Sequence, residues 1–517
     1  MDPNQNRPTA GWRATDTAYG WLSILFAFLL CQAMPVPTYP LGGYLLIVAL
    51  YVAGFVILRL KKVKLPPVCI LSALSSLVIG GALLLTNTGF LIRLSMIYCL
   101  LSYCYFLYAA FGNRIEKGFS DYILIDYIKI LFILPYASFV SIFPALFSKS
   151  ARKSSLFVVK ILAGFAIAVI PTGLVFLFLS YDSGFMKLVD DIFSFDMGDV
   201  IHTMFSLYFA LPLAMFGFGL YASSERKRLQ DKIDMDLCSR ILQKTKILPR
   251  ITAVVAVLPI LVLYVIFFIS QREYYVSAFT GVLPVGLSYA KYARHGFFEL
   301  CAVSVINLIL IVAIGFFLRR GKNGGSVILK IVAPVFCLCT LILISTAVAK
   351  LVMYIDRYGL TQKRIYAMWL MALIAIVFLI IAVCQFLKKA KVVALCLSVA
   401  IVMFAGLSVC NVNALCARYN TDRYLNGTLE TLDMVAMQNL GDSAIPSLVR
   451  VSKAMDAEED PLLKSQVDAL LESEVYLRKL EEFSIFTFSI PSARANAALE
   501  EYTATLPADH PLNKDKG

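Results

Sequence analysis

Gly286–Leu300 reads Gly-Leu-Ser-Tyr-Ala-Lys-Tyr-Ala-Arg-His-Gly-Phe-Phe-Glu-Leu. Lys291, Arg294, His295 and Glu299 fall within nine residues at the mouth of an apolar run that continues to residue 318. On a helix, Lys291, His295 and Glu299 recur every four residues and stack along one face, with Tyr289 and Tyr292 a turn apart beside them. Charge this dense where a helix enters lipid is costly unless water, a partner or a ligand compensates it. The stretch reads as the polar rim of a membrane-spanning helix.

The rest of the chain has the composition this requires. Of its 517 residues 59% are hydrophobic and only 16% charged, against roughly half and a quarter in an ordinary soluble domain. The apolar residues come in blocks of about 20, the length that crosses a bilayer as a helix. Spans are expected at 18–36, 41–59, 66–86, 89–111, 156–180, 201–222, 251–270, 297–318, 327–350, 365–386 and 392–411, eleven in all. The first has a long polar lead and no small-x-small cleavage site after it, so it reads as a span and not as a signal peptide.

With the N-terminus inside, the segments on the cytoplasmic side hold 26 Lys and Arg, and those opposite hold 7. That bias is what the positive-inside rule predicts. Segment 121–147 is apolar enough to cross but contains Asp126, Lys129, Pro135 and Pro144. If it crossed, the eight basic residues of 223–250 would face out, so it is expected to be interfacial or re-entrant on the cytoplasmic side. The fold class is all-α: a polytopic transmembrane helical bundle over 1–411, followed by an acidic helical tail, 412–517, outside the cytoplasm. Formal charge divides the same way, +20 over 1–411 and −7 over the tail. The basic balance belongs to loops between spans, and nucleic acid is not an expected partner.

The loop 181–200 carries five Asp and one Lys, with Phe185, Leu188, Val189, Ile192 and Phe193 at helical spacing, which predicts a short surface helix. In the tail, Asp442–Lys453 and Val467–Phe483 are amphipathic, and the last ten or so residues are expected to be disordered. Most of the twelve cysteines lie inside spans, where Cys acts as a small hydrophobe. Cys410 and Cys416, at the edge of the last span, are the two placed to pair. Three dispersed histidines and no C-x-x-C give no metal site, and no cofactor is implied.

Two further polar stretches accompany the opening one on the outer side. Lys350–Arg364 is Lys-Leu-Val-Met-Tyr-Ile-Asp-Arg-Tyr-Gly-Leu-Thr-Gln-Lys-Arg, and Asn413–Leu425 is Asn-Ala-Leu-Cys-Ala-Arg-Tyr-Asn-Thr-Asp-Arg-Tyr-Leu. The candidate ligand-binding set is Tyr289, Tyr292, Arg294, Glu299, Asp356, Arg357, Arg418, Asp422 and Arg423. Several Arg on one face make a bidentate anion site, such as a lipid headgroup requires. The competing readings are structural. Tyr and Arg at span ends form an interfacial belt or contact anionic lipid, Glu299 pairs with His295 or Lys291, and Gly359 and Thr361 end one helix and cap the next. If the stretches form one site, Glu299, Arg294, Asp356, Arg357, Arg418 and Arg423 should be neighbours, with the carboxylates paired to guanidinium groups.

Together with Leu440–Leu448 (Leu-Gly-Asp-Ser-Ala-Ile-Pro-Ser-Leu), these stretches resemble the hallmark segments of a bacterial multi-pass membrane family, the domain of unknown function 4153, also filed as 4173. Its Tyr-x-x-Tyr-Ala-Arg-x-Gly-Phe-x-Glu-Leu segment is matched by Tyr289, Tyr292, Ala293, Arg294, Gly296, Phe297, Glu299 and Leu300, its Tyr-Gly-Leu-Thr turn by Tyr358–Thr361, and its Ala-Arg-Tyr-Asn segment by Ala417–Asn420. His295 stands where the family carries Arg or Gln. The resemblance implies a bacterial inner or cytoplasmic membrane protein and supplies no mechanism.

No phosphate-binding loop, nucleophile elbow, H-E-x-x-H or dinucleotide fingerprint occurs. Three functions remain: binding or transport of an anionic envelope ligand (a lipid headgroup or phosphate-bearing precursor), a scaffold or sensor whose tail contacts a partner protein, and, last, a membrane-embedded transferase. Beyond the lipid bilayer itself, these ligands and that protein are the expected partners.

Overall fold

The computed structural model describes residues 12–33, 39–118, 120–146, 197–227, 235–270, 289–318, 327–387, 390–455, 460–480, 484–507 and 510–514, with isolated positions at 171, 175, 178 and 179. The long elements are helices: α1 Ala14–Gln32, α2 Pro40–Leu60, α3 Pro67–Gly80, α4 Gly89–Ala110, α5 Ile123–Phe132, α6 Met197–Glu225, α7 Met235–Thr245, α8 Arg250–Ser270, α9 Tyr289–Phe317, α10 Val327–Tyr358, α11 Gln362–Cys384 and α12 Val392–Val409. The tail adds α13 Val412–Leu425, α14 Ile445–Ala454, α15 Pro461–Leu480 and α16 Ile490–Thr503. Among the described residues, 10 helices are long and apolar enough to cross a membrane. The chain is an integral, multi-pass membrane protein with an all-α helical bundle. Apart from positions 171, 175, 178 and 179, the expected span 156–180 lies outside the described residues, as do 181–196 of the loop expected to hold a surface helix.

Local chemistry sets the helix ends. Pro40 and Pro67 open α2 and α3, positions where the missing N–H has no helical partner to lose. Both α9 and α10 run past the apolar segments expected from hydropathy, to Tyr289 at one end and Tyr358 at the other. Once outside lipid, a helix end tolerates charge freely, so backbone continuity outlasts the hydrophobic pattern.

The spans pack around two cores. One gathers Tyr51, Phe106, Tyr108, Phe218 and Tyr221 from α2, α4 and α6, with Tyr19 of α1 stacked on Tyr221 at 4.0 Å between ring centroids. The other runs from Phe336, Leu343 and Phe378 of α10 and α11 into the tail, through Cys416, Leu448, Val451, Val467, Leu471, Leu499 and Tyr502. Within lipid such contacts work by close packing, because the tails outside are as apolar as Leu. In the watery tail each fully buried Leu or Val adds about 1.5–3 kcal/mol by leaving water. The halves meet where α4 faces α12, with Tyr98 on Phe404 and Ser95 bonded to Ser408 at 3.5 Å.

Two ends of the bundle follow, a basic end and a tail end. At the basic end, Lys61 pairs with both Asp16 and Glu225, and its side chain is only 3% exposed. Asp16 also accepts from Tyr221 Oη and the Arg13 N–H, both at 2.8 Å. Segment 121–146 is broken into α5 and three short turns, Leu134–Ala137, Phe139–Ser141 and Ile142–Leu146. Asp121 accepts from the Ala394 N–H at 3.1 Å, Asp126 from Tyr108 Oη at 2.7 Å, Ser138 from Ser223 at 2.8 Å and the Ala145 carbonyl from Thr17 at 2.7 Å. These partners lie toward the basic ends of α12, α4, α6 and α1. Gly219 is required here, since a Cβ on it would stand 2.3 Å from the Pro135 carbonyl oxygen.

At the tail end a buried amide network joins four elements. Asn413 Oδ1 accepts from Thr88 at 2.8 Å and Gln362 at 2.7 Å, and its Nδ2 donates to Asn87 Oδ1 at 2.8 Å and the Leu440 carbonyl at 3.2 Å. Asn87 in turn donates to the Leu440 carbonyl at 2.8 Å and accepts from Ser443 at 2.9 Å. Every hydrogen-bonding position of the Asn413 amide is filled. The Leu440–Leu448 stretch is thereby seated on the loop between α3 and α4.

Candidate binding rim at the tail end

The rim starts from a turn. Gly359 closes α10 with φ +76° and donates to the Ile355 carbonyl at 2.8 Å. A Cβ on Gly359 would lie 2.6 Å from Asn420 Oδ1, so glycine is needed for both conformation and space. Thr361 occupies the N-cap position of α11 in extended backbone, yet its side chain makes no cap bond. Asn420 of α13 holds the turn instead, accepting the Leu360 N–H at 2.6 Å and donating to the Leu360 carbonyl at 2.8 Å. That clamp locks the second polar stretch onto the third.

Charged side chains surround the clamp. Arg423 sits 3.6 Å from Asp356 and donates to the Thr428 carbonyl at 2.9 Å. Arg364 donates to the Gly359 and Tyr358 carbonyls, and its guanidinium lies 4.2 Å from the Tyr354 ring centroid. Arg357 takes Glu430 in a bidentate pair at 2.7 and 3.0 Å, the planar fork geometry that suits carboxylate or phosphate. Asp422 binds Arg450 at 2.7 Å and stands 3.6 Å from Arg418. Arg418 is the most open of these arginines, with 76% of its side chain exposed. Beneath the rim, burial pushes the Cys416 thiol up to about 12, which keeps it neutral. Cys410 and Cys416 are both free thiols.

The structure therefore brings Asp356, Arg357, Arg418, Asp422 and Arg423 to one rim. Glu299 lies within electrostatic reach of Lys350, a buried residue two turns below Arg357 on α10. The helices α9 and α10 that carry them pack against each other, and α9 continues as helix from Glu299 back to Tyr289. The side chains of Tyr289, Tyr292 and Arg294 lie outside the described residues. Sequence reasoning missed Glu430, Asn420 and Arg450, which complete the pairings. Asn420 stands in the third stretch as the last residue of the matched Ala-Arg-Tyr-Asn segment, with nothing local to show its hold on Leu360, while Glu430 and Arg450 reach the rim only through tail packing. It also missed the Asp16–Lys61–Glu225 cluster, whose members read one by one as span-end charges.

A family model described as "Domain of unknown function (DUF4153)" matches residues 68–451. The matched region opens at α3 and closes within α14, so it takes in the amide network and the rim and leaves out α1 and α2. No curated protein and no solved structure matches the chain.

Proposed function

We propose that this chain, which belongs to the DUF4153 family, binds an anionic ligand at the rim of α9, α10 and α13, on the face turned away from the cytoplasm. The ligand class is a lipid headgroup or a phosphate-bearing envelope precursor, and the protein serves as its receptor or carrier. One observation carries the reading: stretches 60 residues apart interlock through Asn420 and Leu360, and this gathers Arg357, Arg364, Arg418 and Arg423 at one rim. Arg364 and Arg423 are committed to backbone carbonyls and hold the rim in shape. Arg418 meets its carboxylate at 3.6 Å, too long for a strong hydrogen bond, and its guanidinium keeps donors for a bidentate anion contact.

Orientation rests on the loop charges, 26 against 7, which favour the basic end inside. The same frame makes 121–147 a re-entrant element, because its partners from Asp121 to Ala145 all belong to the basic end. A scaffold or sensor role through the tail is the second reading. It is favoured by the core that runs unbroken from α10 into α15 and α16, so that a partner gripping the tail would strain the rim.

Native mass spectrometry of the purified protein with phosphatidylglycerol, with a polyprenyl phosphate and with inorganic phosphate tests the proposal and separates the ligand sources. Arg418→Gln should weaken the preferred anion by about tenfold, the loss of one charge-assisted contact of roughly 1.5 kcal/mol. Its thermal stability should stay at the parent's level, since an exposed ion pair is worth at most about 1 kcal/mol. Equal affinities for parent, Arg418→Gln and Arg357→Gln would overturn it.

A further inference from the structure

We infer that the turn between α15 and α16 is a membrane anchor, inserting Ile485, Phe486 and Phe488 into the leaflet at the tail end. These side chains are 65%, 55% and 45% exposed, an apolar group that no aqueous surface favours. The turn presenting them is fixed: Ser484 Oγ accepts the Phe486 N–H at 3.3 Å, Thr487 donates to the Ser484 carbonyl at 2.7 Å, and Ser489 caps α16 by accepting the Ser492 N–H at 3.3 Å. Ordering entropy is thus already spent before any contact is made.

Position identifies the occupant. Phe486 lies against Gly42 in the first turn of α2, its Cβ 3.6 Å from where a Cβ on that glycine would stand. From Gly42, the exposed residues Leu45, Ala49, Val52 and Val56 continue along one face of α2 at helical spacing. On a membrane-crossing helix such a stripe faces lipid. Phe486 extends it past the helix end, beside the exposed Tyr39, at the level where aromatic residues settle among headgroups. The lipid-facing surface of the bundle thus runs on into the tail, and the bilayer is what meets it. The inference needs only that α2 crosses the membrane, and stands or falls independently of the anion site.

The test uses the full chain with Trp12, Trp21 and Trp369 replaced by Phe and Phe486→Trp as the sole tryptophan, reconstituted in phosphatidylcholine vesicles. Emission should be blue-shifted, quenched severalfold when the acyl chains carry bromine, and little affected by added iodide. Red-shifted emission that iodide quenches and bromolipid does not would overturn the anchor, whether the turn meets water or waits for a protein. Ile485→Trp reads the same turn should the first variant fail to reconstitute.

Discussion

Gly359 shows how much of the rim depends on single positions. Its left-handed φ costs an L-residue about 1–2 kcal/mol, and the space a Cβ would need is filled by Asn420. Gly359→Ala should therefore lower the thermal unfolding midpoint of the detergent-purified protein and open the Asn420–Leu360 clamp. A midpoint equal to the parent's would mean the clamp contributes nothing. The sequence pointed to this glycine as a helix terminator, and the structure places it there. It pointed to Thr361 as the next cap, and there Asn420 does the holding, a partner 60 residues away that local spacing cannot reveal. The same limit applied to Asp356. That it would pair with an arginine was legible, and Arg423 is that partner. The partners expected for Glu299 on its own helix, Lys291 and His295, have side chains outside the described residues, and among the described ones Glu299 lies within electrostatic reach of Lys350.

Among the elements, the spans were the most legible, because about 20 apolar residues in a row have few other uses. Helix ends beyond lipid were less so, as α9 and α10 show by carrying their charged residues on uninterrupted backbone. The contacts between spans were not legible at all, since each charged partner sits alone in its own stretch. The cluster of Asp16, Lys61 and Glu225 ties α1, α2 and α6 at the basic end. Removing one member of a buried pair leaves a charge without its counterpart, typically a loss of about 3–5 kcal/mol, whereas neutralising all members is far milder. Lys61→Met should thus sharply reduce folded yield and thermal stability, and combining it with Asp16→Asn and Glu225→Gln should restore much of both. A triple variant as unstable as the single one would show that the three do not act as a unit.

At the scale of the whole molecule, the tail is part of the bundle. Its apolar residues join the core of α10 and α11, and the Asn413 network fastens Leu440 and Ser443 to the α3–α4 loop. The amphipathic helices of the tail were readable from spacing, but their seat was not, because an amide pair between Asn87 and Asn413 spans 326 residues. Asn413→Ala strips partners from Thr88, Gln362 and Asn87 at once, and each buried polar group left unpaired costs about 1–3 kcal/mol. Limited proteolysis should then cleave the tail of this variant faster than the parent's, and an unchanged rate would argue that the apolar core alone seats it.

The reading of the rim as a ligand site depends on which side of the membrane it faces. A single Cys introduced as Ala493→Cys, exposed on α16, in a chain otherwise without cysteine, measures this when intact cells are treated with a membrane-impermeant maleimide. Labelling in intact cells, equal to that after membrane rupture, is the predicted result and places tail and rim outside. Labelling only after rupture would put both in the cytoplasm, reverse the orientation drawn from the loop charges, and contradict an extracytoplasmic anion site.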